Sequence, residues 1–244
     1  FTILWLVGIV GVISIFWMQL PIPEAAELPS SAIKLLTLIQ PTILLTLAVF
    51  AGVNLAHRVG LSAPLAEAKA CSGSLGSAIK PQLVPGLIGG VAGGVILSSI
   101  SLWWRSFLPS DFLMKAEDLA RNTPFLTRIL YGGVTEEILI RWGLMTLLVW
   151  VLWRLFQRGQ WMPNVTCFAI AIAISSLIFW IGHLPIAFVL STEVTASLVG
   201  YVIIGNSIFG LIAGYLYWKK GLEAAMIAHM LFHVIIVTTD YLRR

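Results

Sequence analysis

Two adjacent carboxylates, Glu136 and Glu137, stand in one of the most apolar stretches of the chain, Tyr131-Gly-Gly-Val-Thr-Glu-Glu-Ile-Leu-Ile-Arg-Trp-Gly-Leu-Met145, with Arg141 as the only other charge there. A charge at the centre of a membrane-spanning helix costs about 2.5–3.5 kcal/mol on insertion scales, so such residues point to a functional site with a partner to be found. Successive residues on a helix are about 100° apart, which puts Glu137 and Arg141 on one face and turns Glu136 away. The expected division pairs Glu137 with Arg141 and leaves Glu136 facing a cavity, where an unpaired carboxylate can act as general base on water. Histidine supplies the rest of the chemistry. His183 follows Phe179 by four positions near the end of an apolar run, just before Pro185, which is expected to end that helix. His229 and His233 repeat the same-face spacing in another apolar run, whereas His57 falls in a loop. Two carboxylates, an arginine and three imidazoles on three apolar segments suit water activation and oxyanion stabilisation. They also suit a structural cluster bracing a helix bundle, and a His-x-x-x-His pair alone suits polar packing as well as metal binding.

The elements that carry these residues must be membrane helices. Hydrophobic residues make up 59% of the 244 and charged residues 11%, against about 25% charged in soluble domains, and the mean hydropathy is +0.95. The expected fold is all-α, a polytopic transmembrane helix bundle of about seven to eight spans, with 1–244 forming a single integral membrane domain and no soluble module. Apolar runs bounded by Pro, Gly and charge predict spans at roughly 1–20, 32–53, 84–104, 125–153, 164–183, 196–217 and 223–241. Residues 105–124, with Asp111, Lys115, Glu117, Asp118 and Arg121, read as an interfacial, partly helical connection, and 57–80 as a segment along the membrane surface. Glycines at 86, 90 and 94, and again at 89 and 93, lay smooth strips along the third span for close packing, as do Gly210 and Gly214 on the sixth. Trp103, Trp104, Trp142, Trp150, Trp153, Trp161 and Trp180 read as an interfacial belt. Cys71 and Cys167 lack metal or redox spacing and read as small apolar fillers. The first segment has no charged n-region and no small-residue cleavage site, so a retained span is expected, and a start at Phe1 fits a fragment or a trimmed product.

The net charge of +4 comes from 15 Lys and Arg scattered among loops, a pattern that suits membrane lipids as partners and not nucleic acid. With alternating loops, Arg58, Lys69, Lys80, Arg154, Arg158, Lys219 and Lys220 share one side, while Arg105, Lys115, Arg121, Arg243 and Arg244 dilute the contrast from the other. The positive-inside rule then puts the first set in the cytoplasm and the N-terminus outside.

In order and spacing, Glu136-Glu137-x-x-x-Arg141, Phe179-x-x-x-His183 and His229-x-x-x-His233 resemble the three signature motifs of the CPBP family, which takes in type II CAAX prenyl endopeptidases and bacteriocin-processing and abortive-infection proteins. The resemblance covers about residues 124–240, and Asn206-Ser-Ile-Phe-Gly210 with Gly214 is similar to a further small-residue motif between the second and third. One departure stands out: the last motif commonly ends in Asn or Asp, and here it ends in His233. The resemblance implies a multi-pass intramembrane endopeptidase of a prokaryotic plasma or inner membrane, with its site toward the cytoplasm. It implies that Glu136 and His183 activate a water for attack on a peptide carbonyl, that His229 and the residue at 233 stabilise the oxyanion, and that Glu137, Arg141, Phe179 and Asn206 support the site. The implied substrate is a membrane-associated or lipidated protein, such as one with a prenylated CAAX tail, or a peptide precursor. No cofactor is required on this reading.

Three alternatives keep the same residues. Glu136, His183, His229 and His233 could hold zinc with an open position for water, although the chain has no His-Glu-x-x-His motif. Buried Glu and His could relay protons in a transporter, against which stands the lack of two related halves. A scaffold or immunity protein could keep the fold without turnover.

Overall fold

The computed structural model describes residues 1–18, 30–157 and 159–242. The end of the first predicted span, Arg158, Arg243 and Arg244 lie outside the described residues. Among those described, the elements are helices α1 (Thr2–Ser14), α2 (Ser30–Leu55), α3 (Pro64–Ala70), α4 (Leu75–Trp104), α5 (Ser110–Asn122), α6 (Phe125–Phe156), α7 (Val165–Val189), α8 (Ala196–Lys220) and α9 (Leu222–Leu242). Six of the described segments are long and apolar enough to cross a membrane: Ala32–Val59, Leu75–Phe107, Phe125–Phe156, Val165–Val189, Ala196–Lys220 and Leu222–Leu242. Thr2–Trp17 is a shorter apolar helix. Large apolar side chains such as Leu47, Phe50, Ile88 and Trp103 point outward, as they must where the surroundings are lipid and every backbone group is satisfied within a helix. The all-α polytopic bundle expected from composition is the observed architecture.

Glycine decides how the helices meet. Gly86, Gly90 and Gly94 of α4 face α9, and a methyl added at Gly90 would lie 2.7 Å from the Ala228 carbonyl oxygen. Gly89 and Gly93, a strip to one side, face Leu216 and Phe209 of α8. On α8 itself, Gly210 meets Ser176 and Gly214 meets Ile172, so α7 also approaches closely. Small residues at these spacings give the dispersion contact that drives helix association in lipid. Helix α6 runs through the middle against α1, α2 and α9, and the Thr135 hydroxyl ties it to α1 by donating to the Gly8 carbonyl at 2.8 Å.

Several elements depart from expectation, each because of a tertiary partner. Helix α4 starts at Leu75, not near 84, and runs through Pro81 and Pro85. Gln82, buried in its first turns, accepts from the Ala224 N–H at 2.9 Å and donates to the Ala78 carbonyl at 3.1 Å, fixing this end onto α9. Pro185 does not end α7, which continues to Val189. Ala187 and Leu190 beyond it are buried against Phe112, Leu198 and Val202 and hold the last turn in place. Residues 57–80 are not a surface strip throughout, since Val59, Leu61 and Ala63 belong to the core. The Glu223 carboxylate accepts the Leu65 and Ala66 N–H groups at 3.0 and 3.1 Å and docks α3 on α9. Trp142 leaves the expected belt, lying 3% exposed over Gly52 and beside Tyr217. Cys167 is a buried filler, but Cys71 is exposed.

Helix α5 is the interfacial connection read from its charges. Phe112 anchors it over the ends of α7 and α8, and Glu117 joins Arg105 at 2.7 Å and Arg121 at 3.5 Å. The Asp111 carboxylate accepts the Thr192 N–H at 2.7 Å and its hydroxyl at 2.9 Å. Those bonds, the backbone one foremost, hold the Asp111 carboxyl below the ordinary carboxylate range.

Candidate active site

Glu136 and Glu137 are the two α-helical residues between two π-helical stretches of α6, Arg128–Thr135 and Ile138–Met145. Wide π turns inside an α-helix are frequent at functional sites, and here they set the directions of two neighbouring carboxylates. Glu137, 1% exposed, points into protein. One of its oxygens accepts from Arg141 Nε at 3.2 Å and the other from His229 Nδ1 at 2.8 Å. Glu136 points instead to a cavity of about 280 Å³.

Arg141 is wholly buried. Its Nη1 lies 3.5 Å from Ser175 Oγ, and its guanidinium sits 5.9 Å from the centre of the Phe179 ring. Phe179 thereby links the carboxylate helix to the histidine of its own helix, since the His183 ring packs against it edge-on at 4.6 Å. His183 Nδ1 lies 2.8 Å from the Phe179 carbonyl oxygen. A carbonyl only accepts, so Nδ1 carries the proton, and in the neutral ring Nε2 keeps its lone pair. The same argument applies to His229, whose Nδ1 donates to Glu137.

His233 stacks parallel on His229, with centroids 4.8 Å apart and planes 14° apart. Its Nε2 is buried, has no hydrogen-bond partner among the described residues and lies against Gly132 of α6, where any added Cβ would overlap it. Glycine at 132 is what lets the imidazole reach α6. Asn206 of α8 donates to the Val202 carbonyl at 2.9 Å and also lines the cavity.

The structure therefore brings Glu136, Phe179, His183, Asn206, His229 and His233 to one cavity and sets Glu137 and Arg141 behind it. Among the described residues no three His, Cys, Asp or Glu side chains are grouped as a metal site. Arg128 and Tyr131 also form part of the wall, and sequence reasoning missed both. The available signal was the series Arg128, Gly132 and Glu136 at i, i+4 and i+8 within a predicted span.

The cavity reaches Met18 and Thr123, so it lies toward the α5 end of the bundle. This is the end that the loop charges put outside the cell, whereas the motif resemblance puts the site inside. The two expectations exclude one another.

Among known families, the model for Type II CAAX prenyl endopeptidase Rce1-like matches residues 121–235. The match begins at the end of α5 and stops within α9, and it contains the carboxylates, arginines and histidines of the site. No curated protein and no solved structure matches the chain.

Proposed function

Since residues 121–235 belong to the Rce1-like type II CAAX prenyl endopeptidase family, which supports a CAAX-type intramembrane protease in general, we propose that this chain hydrolyses a peptide bond of a membrane-associated substrate with a water activated by Glu136 and His183. The observation that carries the reading is the unequal use of the two carboxylates. Glu137 is consumed by Arg141 and His229, and Glu136 lines the cavity with the imidazoles.

With Nδ1 donating to Phe179, His183 offers Nε2 as an acceptor for a water proton, while Glu136 takes the proton released as the water oxygen attacks the carbonyl. The developing oxyanion needs donors. His229, held by the Glu137 carboxylate through Nδ1, is read as one of the groups that face it. His233 Nε2, buried and without a partner among the described residues, is a donor in the tautomer that places its proton there. The chemistry is read as metal-independent because, among the described residues, no three His, Cys, Asp or Glu side chains are grouped as ligands.

A farnesylated CAAX peptide is the substrate class the family suggests, and the α5 end of the bundle is read as cytoplasmic. The test is cleavage of a fluorogenic farnesylated CAAX peptide by detergent-purified protein. Glu136→Gln and His183→Ala are each expected to lower the rate about 10²- to 10⁴-fold, the usual contribution of a positioned general base, and a chelator is expected to leave it unchanged. Glu136→Gln cleaving within about threefold of wild type would sink the assigned base. Stoichiometric zinc whose removal ends cleavage would replace this chemistry with a metal-dependent one.

A further inference from the structure

Among the described residues, Arg128 is the only Lys or Arg on the wall of the cavity. It stands on the same helix as Glu136, eight positions toward α5, with Gly132, the seat of His233, between them. Its Nη2 donates to the Ala120 carbonyl at 2.6 Å, which anchors the guanidinium under the last turn of α5. Among the described residues that is its one hydrogen bond, which leaves most of the five N–H donors of the fork for another acceptor. Asp240, half-buried on α9, is the acid whose charge acts on it.

A cation at one end of a largely apolar cavity and a hydrolytic group at the other define a ligand with an anion at a fixed distance from the bond to be cut. Eight residues of α-helix rise about 12 Å, and the wide π turns between Arg128 and Glu136 bring the two somewhat closer than that. Three extended peptide residues span about 10–11 Å. A CAAX tail has three residues after its cysteine and ends in a free carboxylate, the planar two-oxygen anion that a guanidinium binds with two parallel hydrogen bonds.

We propose that Arg128 binds the terminal carboxylate of the substrate and so measures the cut at about three residues from the chain end. The assignment rests on the endopeptidase reading for the site but concerns recognition, not the bond-breaking groups. Arg128 is a specificity residue here. Asp240 restrains it, since a second anion near the fork weakens the pull on an incoming carboxylate.

The test measures binding of a farnesylated CAAX peptide with an N-methylated scissile bond, as the free acid and as the C-terminal amide, beside cleavage of the unmodified pair. Wild type is expected to prefer the acid by about 10- to 100-fold, the worth of a charge-assisted pair. Arg128→Gln should bring acid and amide within about twofold, and Arg128→Lys should keep part of the preference. Asp240→Asn, which leaves the α5 anchor intact, should tighten the acid and not the amide. Equal binding of acid and amide by wild type, or a preference that survives Arg128→Gln, overturns the proposal. Acid-selective, Arg128-dependent binding without cleavage upholds it and sinks the endopeptidase reading. Equal cleavage of acid and amide does the reverse, and binding of neither overturns both.

Discussion

Replacing Glu137 with glutamine separates its structural role from the catalytic role assigned to Glu136. Glu137 meets a donor at each oxygen, Arg141 Nε at 3.2 Å and His229 Nδ1 at 2.8 Å. Glutamine keeps the volume but has one acceptor, so its NH₂ must face one of those donors. It also leaves Arg141, wholly buried, without its anion. Removing one partner of a buried ion pair costs about 3–5 kcal/mol, and in a chain of this size each kcal/mol moves the melting temperature by about 2–4 °C. Glu137→Gln is therefore expected to melt roughly 6–20 °C below wild type in detergent, and Glu137→Gln combined with Arg141→Met should recover much of that loss. Glu136→Gln, at the cavity wall, should melt within about 3 °C of wild type and still fail to cleave. The assay is thermal unfolding of all four proteins beside cleavage of the fluorogenic peptide. A Glu137→Gln protein as stable as wild type but inactive would refute the division, because it would make Glu137 a participant in the reaction and not the brace behind it.

Gly132→Ala puts a methyl where His233 Nε2 lies, and should lower cleavage at least tenfold, with Gly76→Ala, which meets nothing within 4 Å, as the neutral control; full activity in Gly132→Ala would show that the imidazole need not approach α6. The Asp111 carboxyl is held below its ordinary range by the Thr192 donors, so its contribution to docking α5 is complete above the ordinary carboxylate value and fades as pH falls through the lower folded one. Hydrogen exchange at 190–196 should accordingly rise on acidification below about pH 4, and Thr192→Val should expose the same segment already at neutral pH; exchange independent of both would place the α5 anchor elsewhere. Cys71 is exposed at the end of the bundle opposite α5, and Cys167 is buried. A membrane-impermeant maleimide added to intact cells should label Cys71 if the α5 end is cytoplasmic; labelling only after lysis would reverse that orientation.

What could be read from the amino-acid order was whatever depends on spacing within one helix. The four-residue interval from Glu137 to Arg141 is the ion pair of the structure, and the glycine intervals on α4 are its seams with α8 and α9. What could not be read depends on a partner far along the chain. Pro185 signals a helix end by its missing N–H, yet burial of Ala187 and Leu190 under α5 carries α7 onward. Trp142 has the composition of an interfacial residue, and only the approach of Gly52 makes room for it inside. His229 was read as a group facing substrate, with no sign that its Nδ1 is committed to Glu137, 92 positions away. Arg128 passed unnoticed because a lone arginine near a span end is ordinary until the cavity shows what it faces.

The π-helical register of α6 also bears on which changes of length the protein tolerates. In Arg128–Thr135 and Ile138–Met145 the wide turns take up spacing that a regular α-helix would not. Deleting one residue from the first stretch would tighten it toward the ordinary pattern and turn Arg128 and Gly132 by about 100° relative to Arg141. The cation would leave the cavity wall and the seat of His233 would close, with every side chain still present. The turn at 71–74 fixes no such register and can gain or lose residues with little consequence for the site. Insertions and deletions should therefore be rarer across 128–145 than substitutions at the same positions, because the site is specified by residue count as much as by residue type.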